Sequence, residues 1–170
     1  MQINLTINHK DYTLDAAPGD SLLKVLRSLG IFSVKHGCES GECGACTVLF
    51  DGQPMNSCVL LAAQAAGHTI ATIDASGEHP QQGWKTTAGL SPLQRAFVES
   101  GAVQCGFCTP AMILGAIALL DAQPKPTDAA IRTSLEGHLC RCGTYPRIVE
   151  AVRLAAQANA KPTQREAKRA

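Results

Sequence analysis

The chain has 170 residues, of which 45% are apolar and only 4% aromatic, so any buried core must be mostly aliphatic. Its 15 basic and 14 acidic residues give a net charge of +1, which excludes a nucleic-acid-binding protein that relies on bulk positive charge. The same balance argues against a disordered chain, and the length fits one domain or two small ones.

The start of the chain predicts two short strands. Residues 3–7 alternate apolar and polar side chains, which is the periodicity of a half-buried strand. A turn at Lys10 and Asp11 then leads to a second strand over 12–14. This segment has no basic start followed by an apolar run, so it is not expected to be a secretory signal. No apolar stretch reaches the roughly 18 residues of a membrane span, and a soluble cytoplasmic protein is therefore expected.

A helix and a second hairpin follow. The helix is predicted to begin after Asp20 or Ser21 and to end at Gly30. Its apolar face comprises Leu22, Leu23, Val25, Leu26 and Leu29. Residues 46–54 predict a hairpin that turns at Asp51-Gly52, and residues 69–74 predict one more strand. The order hairpin, helix, hairpin, strand is compatible with a compact mixed sheet over residues 1–75.

The C-terminal half is predicted to be helical. Residues 76–90 are rich in Gly, Pro, Gln and Thr and are interpreted as a linker, with Trp84 packed against one of two domains. Helices are then expected from Ser91-Pro92 to Gly101, from Thr109-Pro110 to 122, from Thr127 to 137 and from 145 to 158, with Ser91, Thr109 and Thr127 as N-caps. Together they predict an antiparallel four-helix bundle over 91–158, followed by a basic, solvated tail over 159–170.

The eight cysteines fall into two groups of four, with no cysteine between the groups. The first cysteine group is Cys38, Cys43, Cys46 and Cys58, and the second is Cys105, Cys108, Cys140 and Cys142. In a cytoplasmic protein, cysteines at short spacings are more often metal ligands than disulfides. Each half of the chain is therefore predicted to carry its own metal site.

The first cysteine group has the spacing C-x4-C-x2-C-x11-C, and its first three members match the signature of plant-type [2Fe-2S] ferredoxins. Gly37, Gly41 and Gly44 allow the tight loop that such a cluster needs, and they let backbone N–H groups approach the sulfurs. Structural zinc is the alternative, but it usually takes paired C-x2-C knuckles, of which this group has one. His36 is expected to be a loop residue near the cluster rather than a ligand.

The second cysteine group has the spacing C-x2-C-x31-C-x-C, which by itself is moderately specific. Cys105 and Cys108 come just before one predicted helix, and Cys140 and Cys142 lie between two others. If these junctions face each other, the four sulfurs meet, and the helix N-termini favour the negative charge of thiolates. The C-x-C pair is too tight for most zinc knuckles.

The strings GCESGECGACTVLFDGQPMNSC, QCGFCTPAM and GHLCRCGTYPRIVEAV resemble the iron–sulfur subunit of molybdenum hydroxylases of the xanthine oxidase family. The resemblance extends from about residue 2 to about residue 157. It implies an α+β chain, with a β-grasp domain like that of plant-type ferredoxins and then a four-helix bundle. Each domain would hold one [2Fe-2S] cluster. The inner cluster, in the helical domain, would lie near a molybdopterin cofactor held by a separate large subunit, and the outer cluster would lie toward the electron acceptor.

The resemblance also assigns residues and partners. The first cysteine group would bind the outer cluster and the second group the inner cluster. Gln104 matches a glutamine that approaches the pterin, and Cys142 matches the ligand through which the inner cluster and the pterin come into contact. The large subunit would hydroxylate a heteroaromatic ring or an aldehyde with oxygen from water, and this chain would pass the electrons on singly. The acceptor would be a flavin subunit or an external protein such as a cytochrome, with no nucleic acid or membrane span involved.

Three positions depart from the family pattern. Ala111 replaces the glycine of CGFCTPG, His138 replaces the asparagine of GNLCRC, and Gly143-Thr144 reverses Thr-Gly. All four cysteines of the second group are present, so cluster binding is expected. The string GHLCRCGTYPRI favours the two-subunit branch typified by isoquinoline oxidoreductase, which has no flavin subunit. The chain has no G-x-G-x-x-G, so flavin and nicotinamide are expected to bind elsewhere.

Two interpretations from other classes stay open. A freestanding ferredoxin would carry the first cysteine group but has no need of a second domain. A zinc-stabilised interaction module would hold zinc at both groups and would be colourless. Two oxidised clusters would change the net charge by about −4, to roughly −3. The aliphatic stripe AMILGAIALL is expected to lie in the bundle core, or also to face the large subunit.

Overall fold

The computed structural model of the chain describes residues 1–75 and 89–159. Within these ranges a five-stranded mixed sheet with one helix is followed by four helices, which confirms the α+β class. The predicted linker with Trp84, except for residues 89 and 90, and the predicted tail from residue 160 onward lie outside the described residues.

The sheet contains β1 (Gln2–Ile7), β2 (Lys10–Asp15), β3 (Thr47–Phe50), β4 (Gln53–Asn56) and β5 (Thr69–Ala71), with helix α1 (Leu22–Ser28) between β2 and β3. Its strand order is β2-β1-β5-β3-β4. The central pair β1–β5 is parallel and the other neighbours are antiparallel. The predicted turn at Asp51-Gly52 is present, and both residues have positive φ (+47° and +84°), as a tight two-residue hairpin requires.

The first hairpin turns earlier than predicted. Lys10 pairs with Ile7, so Lys10 and Asp11 belong to β2 and the turn is Asn8-His9. Both turn residues have positive φ, +50° and +66°. Asparagine tolerates this left-handed conformation, and two such residues match the twist of the flanking strands.

The last strand is shorter than predicted. It ends at Ala71, and residues Ile73–Ala75 form a single 3-10 turn. The Asn8 side chain takes over where the strand stops, because its Oδ1 accepts from the Thr72 N–H (2.8 Å) and its Nδ2 donates to the Thr72 hydroxyl (2.9 Å). A contact between residues 64 positions apart therefore ends β5.

Helix α1 covers one face of the sheet. Of the two candidate caps, Ser21 is the one used, since its hydroxyl accepts from the Lys24 N–H at 3.2 Å. The core between helix and sheet is aliphatic as predicted, and its most buried members include Ile3, Ile7, Leu22, Leu26, Val48 and Ile70.

The second domain consists of α2 (Pro92–Glu99), α3 (Thr109–Ala122), α4 (Asp128–Ser134) and α5 (Tyr145–Asn159). Two of the predicted N-caps are correct, because the hydroxyls of Ser91 and Thr127 each accept the N–H of the residue three positions later, at 3.2 Å. The third is wrong, since Thr109 is the first residue of α3 and Cys108 is its N-cap. Helix α4 ends three residues before the predicted end at 137. The four helices share one core that includes Phe97, Met112, Ile131, Ile148 and Val152.

Helix α3 is buried on two sides. Met112, Ile113 and Ala116 belong to the core of the helical domain, and α3 also packs against β3 and β4 of the sheet domain. Ala111 and Leu114 lie outside that core and are still only 1% and 2% exposed. The aliphatic stripe therefore serves two internal contacts, and the sheet domain covers a face that could otherwise have met a partner. No helix within residues 1–75 and 89–159 is both long and apolar enough to cross a membrane.

Candidate iron–sulfur centres

The first cysteine group is gathered by the β3–β4 hairpin. Cys38, Cys43 and Cys46 lie in the loop before β3, and Cys58 follows β4. The register pairs Thr47 with Asn56, which returns the chain to the loop. The Ser57 hydroxyl then donates to the Cys46 carbonyl at 2.7 Å, and this bond fixes the segment that carries Cys58.

The loop wraps around the Cys38 sulfur. The backbone N–H groups of Ser40 and Cys43 both point to Cys38 Sγ, at 3.4 Å each. Hydrogen bonds from the hydroxyl and N–H of Ser40, and then from Cys43, lower the pKa of the Cys38 thiol to about 6. This sulfur is therefore prepared to carry negative charge while it is exposed to solvent.

Gly37 has no side chain, and the Cys43 sulfur occupies the space that a side chain would need. A Cβ on Gly37 would lie 2.7 Å from Cys43 Sγ, a distance that real Cβ atoms do not reach. Gly41 and Gly44 have φ of +82° and +66°, so the loop uses left-handed conformations that glycine adopts without strain. On the interior side, burial raises the pKa of Cys46 to about 11, and its side chain bonds to that of Cys58. The four thiols thus differ in environment.

The second cysteine group forms where two interhelix junctions meet, as predicted. Cys105 and Cys108 lie between α2 and α3, and Cys140 and Cys142 lie between α4 and α5. Cys105 Sγ and Cys142 Sγ are 3.5 Å apart, and the Cys108 side chain bonds to that of Cys140. Cys108 is the N-cap of α3, so its sulfur lies at the positive end of a helix of 14 residues.

The thiols of this group also differ in their pKa values. Burial raises the pKa of Cys108 to about 12. Burial also raises the pKa of Cys140, but hydrogen bonds from Thr144, Cys108 and Cys142 together outweigh burial and lower this pKa to about 7. The Thr144 hydroxyl lies 3.2 Å from Cys140 Sγ.

The local backbone explains the reversed Gly-Thr order. Gly143 has φ of +74°, a conformation that suits glycine and strains a β-branched residue. Threonine therefore takes the next position, where it directly precedes α5. The Tyr145 hydroxyl accepts from the Cys140 N–H at 2.7 Å and so holds the ligand segment against the helix. Sequence reasoning noted Thr144 as a departure but did not find its contact with sulfur, and it did not single out Tyr145.

His138 lies at the junction of the two domains. It is only 8% exposed, and its Nε2 is 3.1 Å from the Thr47 hydroxyl at the start of β3. The next residue, Leu139, donates its N–H to the Cys43 carbonyl at 2.9 Å. The segments that carry the two cysteine groups are therefore in direct contact. Burial lowers the pKa of His138, which favours the neutral ring.

The other predicted site residues lie on the surface. His36 is exposed, and its Nε2 is 3.0 Å from Glu39 Oε1, which agrees with a loop residue beside the first cysteine group. Gln104 is exposed next to Cys105. A cleft of about 500 Å³ runs between the groups and is lined by Cys38, Cys43 and Cys140, together with Phe107 and Arg141.

Both groups fit [2Fe-2S] clusters in the chemistry of their donor sets. Each set is four thiols, with N–H or hydroxyl donors directed at a sulfur and, at Gly37, no room for a side chain. Within residues 1–75 and 89–159, no three Cys, His, Asp or Glu side chains gather closely enough to hold one metal ion. The observed contacts join sulfurs in pairs, Cys105 with Cys142, Cys108 with Cys140 and Cys46 with Cys58, and such pairs suit two irons that take two thiolates each.

Comparisons with known proteins find two [2Fe-2S]-binding domains in the chain. Residues 5–71 match the family model described as "2Fe-2S iron-sulfur cluster binding domain", and residues 80–153 match "[2Fe-2S] binding domain". The nicotinate dehydrogenase small FeS subunit of Eubacterium barkeri is 47% identical, over 91% of this chain and 94% of that one. The xanthine dehydrogenase iron–sulfur-binding subunit of Escherichia coli O157:H7 is 48% identical, over 88% of this chain and 91% of that one.

Among solved structures, quinoline 2-oxidoreductase from Pseudomonas putida 86 contains a chain that superposes with a TM-score of 0.85 at 38% identity. The match covers 95% of this chain and 97% of that chain. The protein has two distinct [2Fe-2S]-binding domains and is an electron-transfer subunit of an oxidoreductase. The chain belongs to the iron–sulfur subunits of the xanthine oxidase family of molybdenum hydroxylases.

Proposed function

We propose that the chain carries electrons singly from a molybdopterin centre in a partner large subunit to an acceptor. The first cysteine group would bind the outer cluster and the second group the inner cluster. The hydrogen bond from Leu139 N–H to the Cys43 carbonyl carries this proposal, because it joins the segments of the two groups at 2.9 Å. A [2Fe-2S] cluster, when bound, supplies one-electron redox chemistry.

The face that meets the large subunit is proposed to surround Gln104 and Cys142, which would approach the pterin. Gln104 and Cys105 are exposed, and the second cysteine group therefore opens to the surface on this side. Val103 and Phe107 are 41% and 46% exposed although both are large and apolar. Apolar side chains exposed together favour an interface with another protein.

The substrate is proposed to be an N-heteroaromatic compound, with an aldehyde as the alternative. Nicotinate, xanthine and quinoline, which appear in the names of the similar proteins, are all N-heteroaromatic.

The electron acceptor is proposed to be an external protein such as a cytochrome or, in a three-subunit assembly, a flavin subunit. The string GHLCRCGTYPRI supports the two-subunit arrangement. The complex is proposed to lie in the cytoplasm, unless a signal-bearing partner exports it. The two domains are proposed to extend over residues 1–75 and 91–158.

The experiment is purification from the native host through a tag on this chain, with metal analysis and low-temperature EPR after partial reduction. Molybdenum, a large partner and two distinct rhombic signals are expected. Cys58→Ser should remove one signal and Cys108→Ser the other, which assigns each signal to its group. One signal without a molybdenum-bearing partner would instead identify a freestanding electron carrier. A colourless protein with zinc would identify an interaction module.

A further inference from the structure

The Thr144 hydroxyl and the Cys140 sulfur form a buried polar contact. Thr144 Oγ1 lies 3.2 Å from Cys140 Sγ, and the two residues are only 5% and 8% exposed. We infer that Thr144 is a positioning residue that raises the reduction potential of the inner cluster by donating a hydrogen bond to this sulfur. The inference rests on the proposed role of Cys140 as a cluster ligand.

An ordinary helix cap is the competing explanation for Thr144. Its carbonyl accepts from the Ile148 N–H at 3.0 Å, so Thr144 occupies the N-cap position of α5. At the same position in three other helices, the hydroxyls of Ser21, Ser91 and Thr127 accept a backbone N–H from the first turn. In the part of the chain that the structure describes, the Thr144 hydroxyl instead bonds only to Cys140 Sγ. The hydroxyl at this cap is thus directed to the sulfur.

The direction of the hydrogen bond follows from the protonation state. A thiol and a hydroxyl can each donate to the other. A cysteine that binds iron is a thiolate without a proton, so the Thr144 hydroxyl must then be the donor. Reduction adds negative charge to the cluster and its sulfurs. A donor at the sulfur stabilises the reduced state more than the oxidised state and so raises the potential.

The surrounding backbone holds this geometry in place. Gly143 with φ of +74° turns the chain so that the residue after it faces Cys140. The backbone N–H groups of Thr144 and Cys142 also lower the pKa of the Cys140 thiol, and the Tyr145 hydroxyl accepts from the Cys140 N–H at 2.7 Å. None of these groups is changed by a substitution of the Thr144 side chain. The hydroxyl can therefore be removed while the other donors stay.

The experiment is an EPR-monitored redox titration of the full chain, purified with its partners from the native host. Thr144→Val keeps the shape and removes the hydroxyl, and Thr144→Ser keeps the hydroxyl. Thr133→Val, on the exposed side of α4, makes the same chemical change away from both groups. Thr144→Val should make one of the two centres about tenfold harder to reduce, which is about 59 mV toward negative potential for one electron. The reduction potential of the other centre should not change. In Thr144→Ser and in Thr133→Val, both centres should keep their wild-type potentials.

Each other outcome contradicts the inference in a recognisable way. If the wild type lacks a second signal, the proposed function fails, and this inference fails with it. If both signals are present and Thr144→Val moves neither, the inference alone fails. If the Thr144→Val protein does not assemble with its partners, Thr144→Ala is used instead, because alanine also lacks the hydroxyl and is smaller than valine. If both variants lose the cluster that Thr144→Ser retains, the hydroxyl holds the cluster and does not set its potential.

Discussion

Thr47 and His138 are 91 positions apart in the chain, and the hydroxyl of the first lies 3.1 Å from Nε2 of the second. The Thr47 hydroxyl donates to the Gly44 carbonyl at 2.7 Å, so it accepts the bond from the imidazole N–H. A Cβ on Gly44 or on Gly115 would lie 3.0 or 3.2 Å from the ring, so both glycines fit closely around it. The contact between the two domains is therefore built around one neutral histidine.

This arrangement predicts a loss of stability in mild acid that depends on His138. Its Nδ1 is buried and has no hydrogen-bond partner, and burial disfavours the charged ring more than the Leu135 backbone favours it. Burial holds the pKa of His138 below its ordinary value of 6.5, so below about pH 6.5 the unfolded chain binds a proton that the folded chain does not. Folding stability due to this residue is present above that pH and is lost as the pH falls through the lowered pKa.

His138→Asn should therefore reduce the loss of thermal stability between about pH 7.5 and about pH 5.5, measured as the melting temperature. His9→Asn, at the exposed turn of the first hairpin, makes the same chemical change and is the matched control. Equal acid sensitivity in the wild type and in His138→Asn would contradict the role given to the buried ring.

A second prediction concerns the close contact at Gly44. A Cβ at this position would lie 2.3 Å from the Gly137 carbonyl oxygen, which is backbone and cannot rotate away. Gly101 has the same φ of +66° but nothing within 4 Å of its Cβ position. Both alanine variants accept the strain of a left-handed residue, which costs about 1–2 kcal/mol. Only Gly44→Ala must also push the two domains apart.

Gly101→Ala should lower the free energy of unfolding by about 1 kcal/mol, and Gly44→Ala by at least about twice as much. Urea titration followed by circular dichroism measures both. If the two variants lose the same stability, the domains are not in contact at Gly44 in solution.

Local signals in the sequence were sufficient for most of the elements. The alternation in β1 and the caps Ser91 and Thr127 depend on neighbours within a few residues, and all are found as predicted. The early turn at Asn8 was missed although asparagine is a turn-forming residue. The early end of β5 was missed because it involves the contact between Asn8 and Thr72 across the fold. A side chain that replaces a strand partner leaves no periodicity in the sequence.

The cysteine spacings predicted the two groups, but the sequence did not predict how the domains dock. The contact from Leu139 to Cys43 lies between the two domains, which also meet where α3 packs against β3 and β4. One signal was available, since a helix that is apolar all round is buried all round, and the segment over 111–120 has this composition. The residue at position 138 was noted only as a departure, because its partner Thr47 lies in the other domain.

A third prediction concerns Gly37. Its Cβ position is 2.7 Å from Cys43 Sγ, so Gly37→Ala should displace that sulfur and prevent assembly of a cluster at the first cysteine group. Gly19→Ala is the matched control, because nothing lies within 4 Å of its Cβ position. Iron analysis should give about half of the wild-type iron for Gly37→Ala, with one EPR signal lost and the other intact. Retention of both signals would mean that the loop relaxes around the methyl group.

The last prediction uses the unequal thiols of the cluster-free chain. The pKa of Cys38 is lowered to about 6, so its thiolate persists at neutral pH and is lost only as the pH falls through that value. Burial raises the pKa of Cys46 to about 11 and that of Cys108 to about 12, which leaves both as inaccessible thiols. Iodoacetamide near neutral pH should therefore modify Cys38 well before Cys46 or Cys108, as read by peptide mass spectrometry.

Ser40→Ala tests the cause of this reactivity. The Ser40 hydroxyl is the largest contribution that lowers the pKa of Cys38, so its removal should slow the modification of Cys38 near neutral pH. Cys105 provides an internal control, because it is also exposed and its pKa is lowered mainly by the Phe107 N–H, which this change does not touch. If Cys38 and Cys105 slow together, the change has disturbed the whole chain. If neither slows, the hydrogen bonds to Cys38 Sγ do not set its charge, and its preference for a cluster comes from the loop geometry alone.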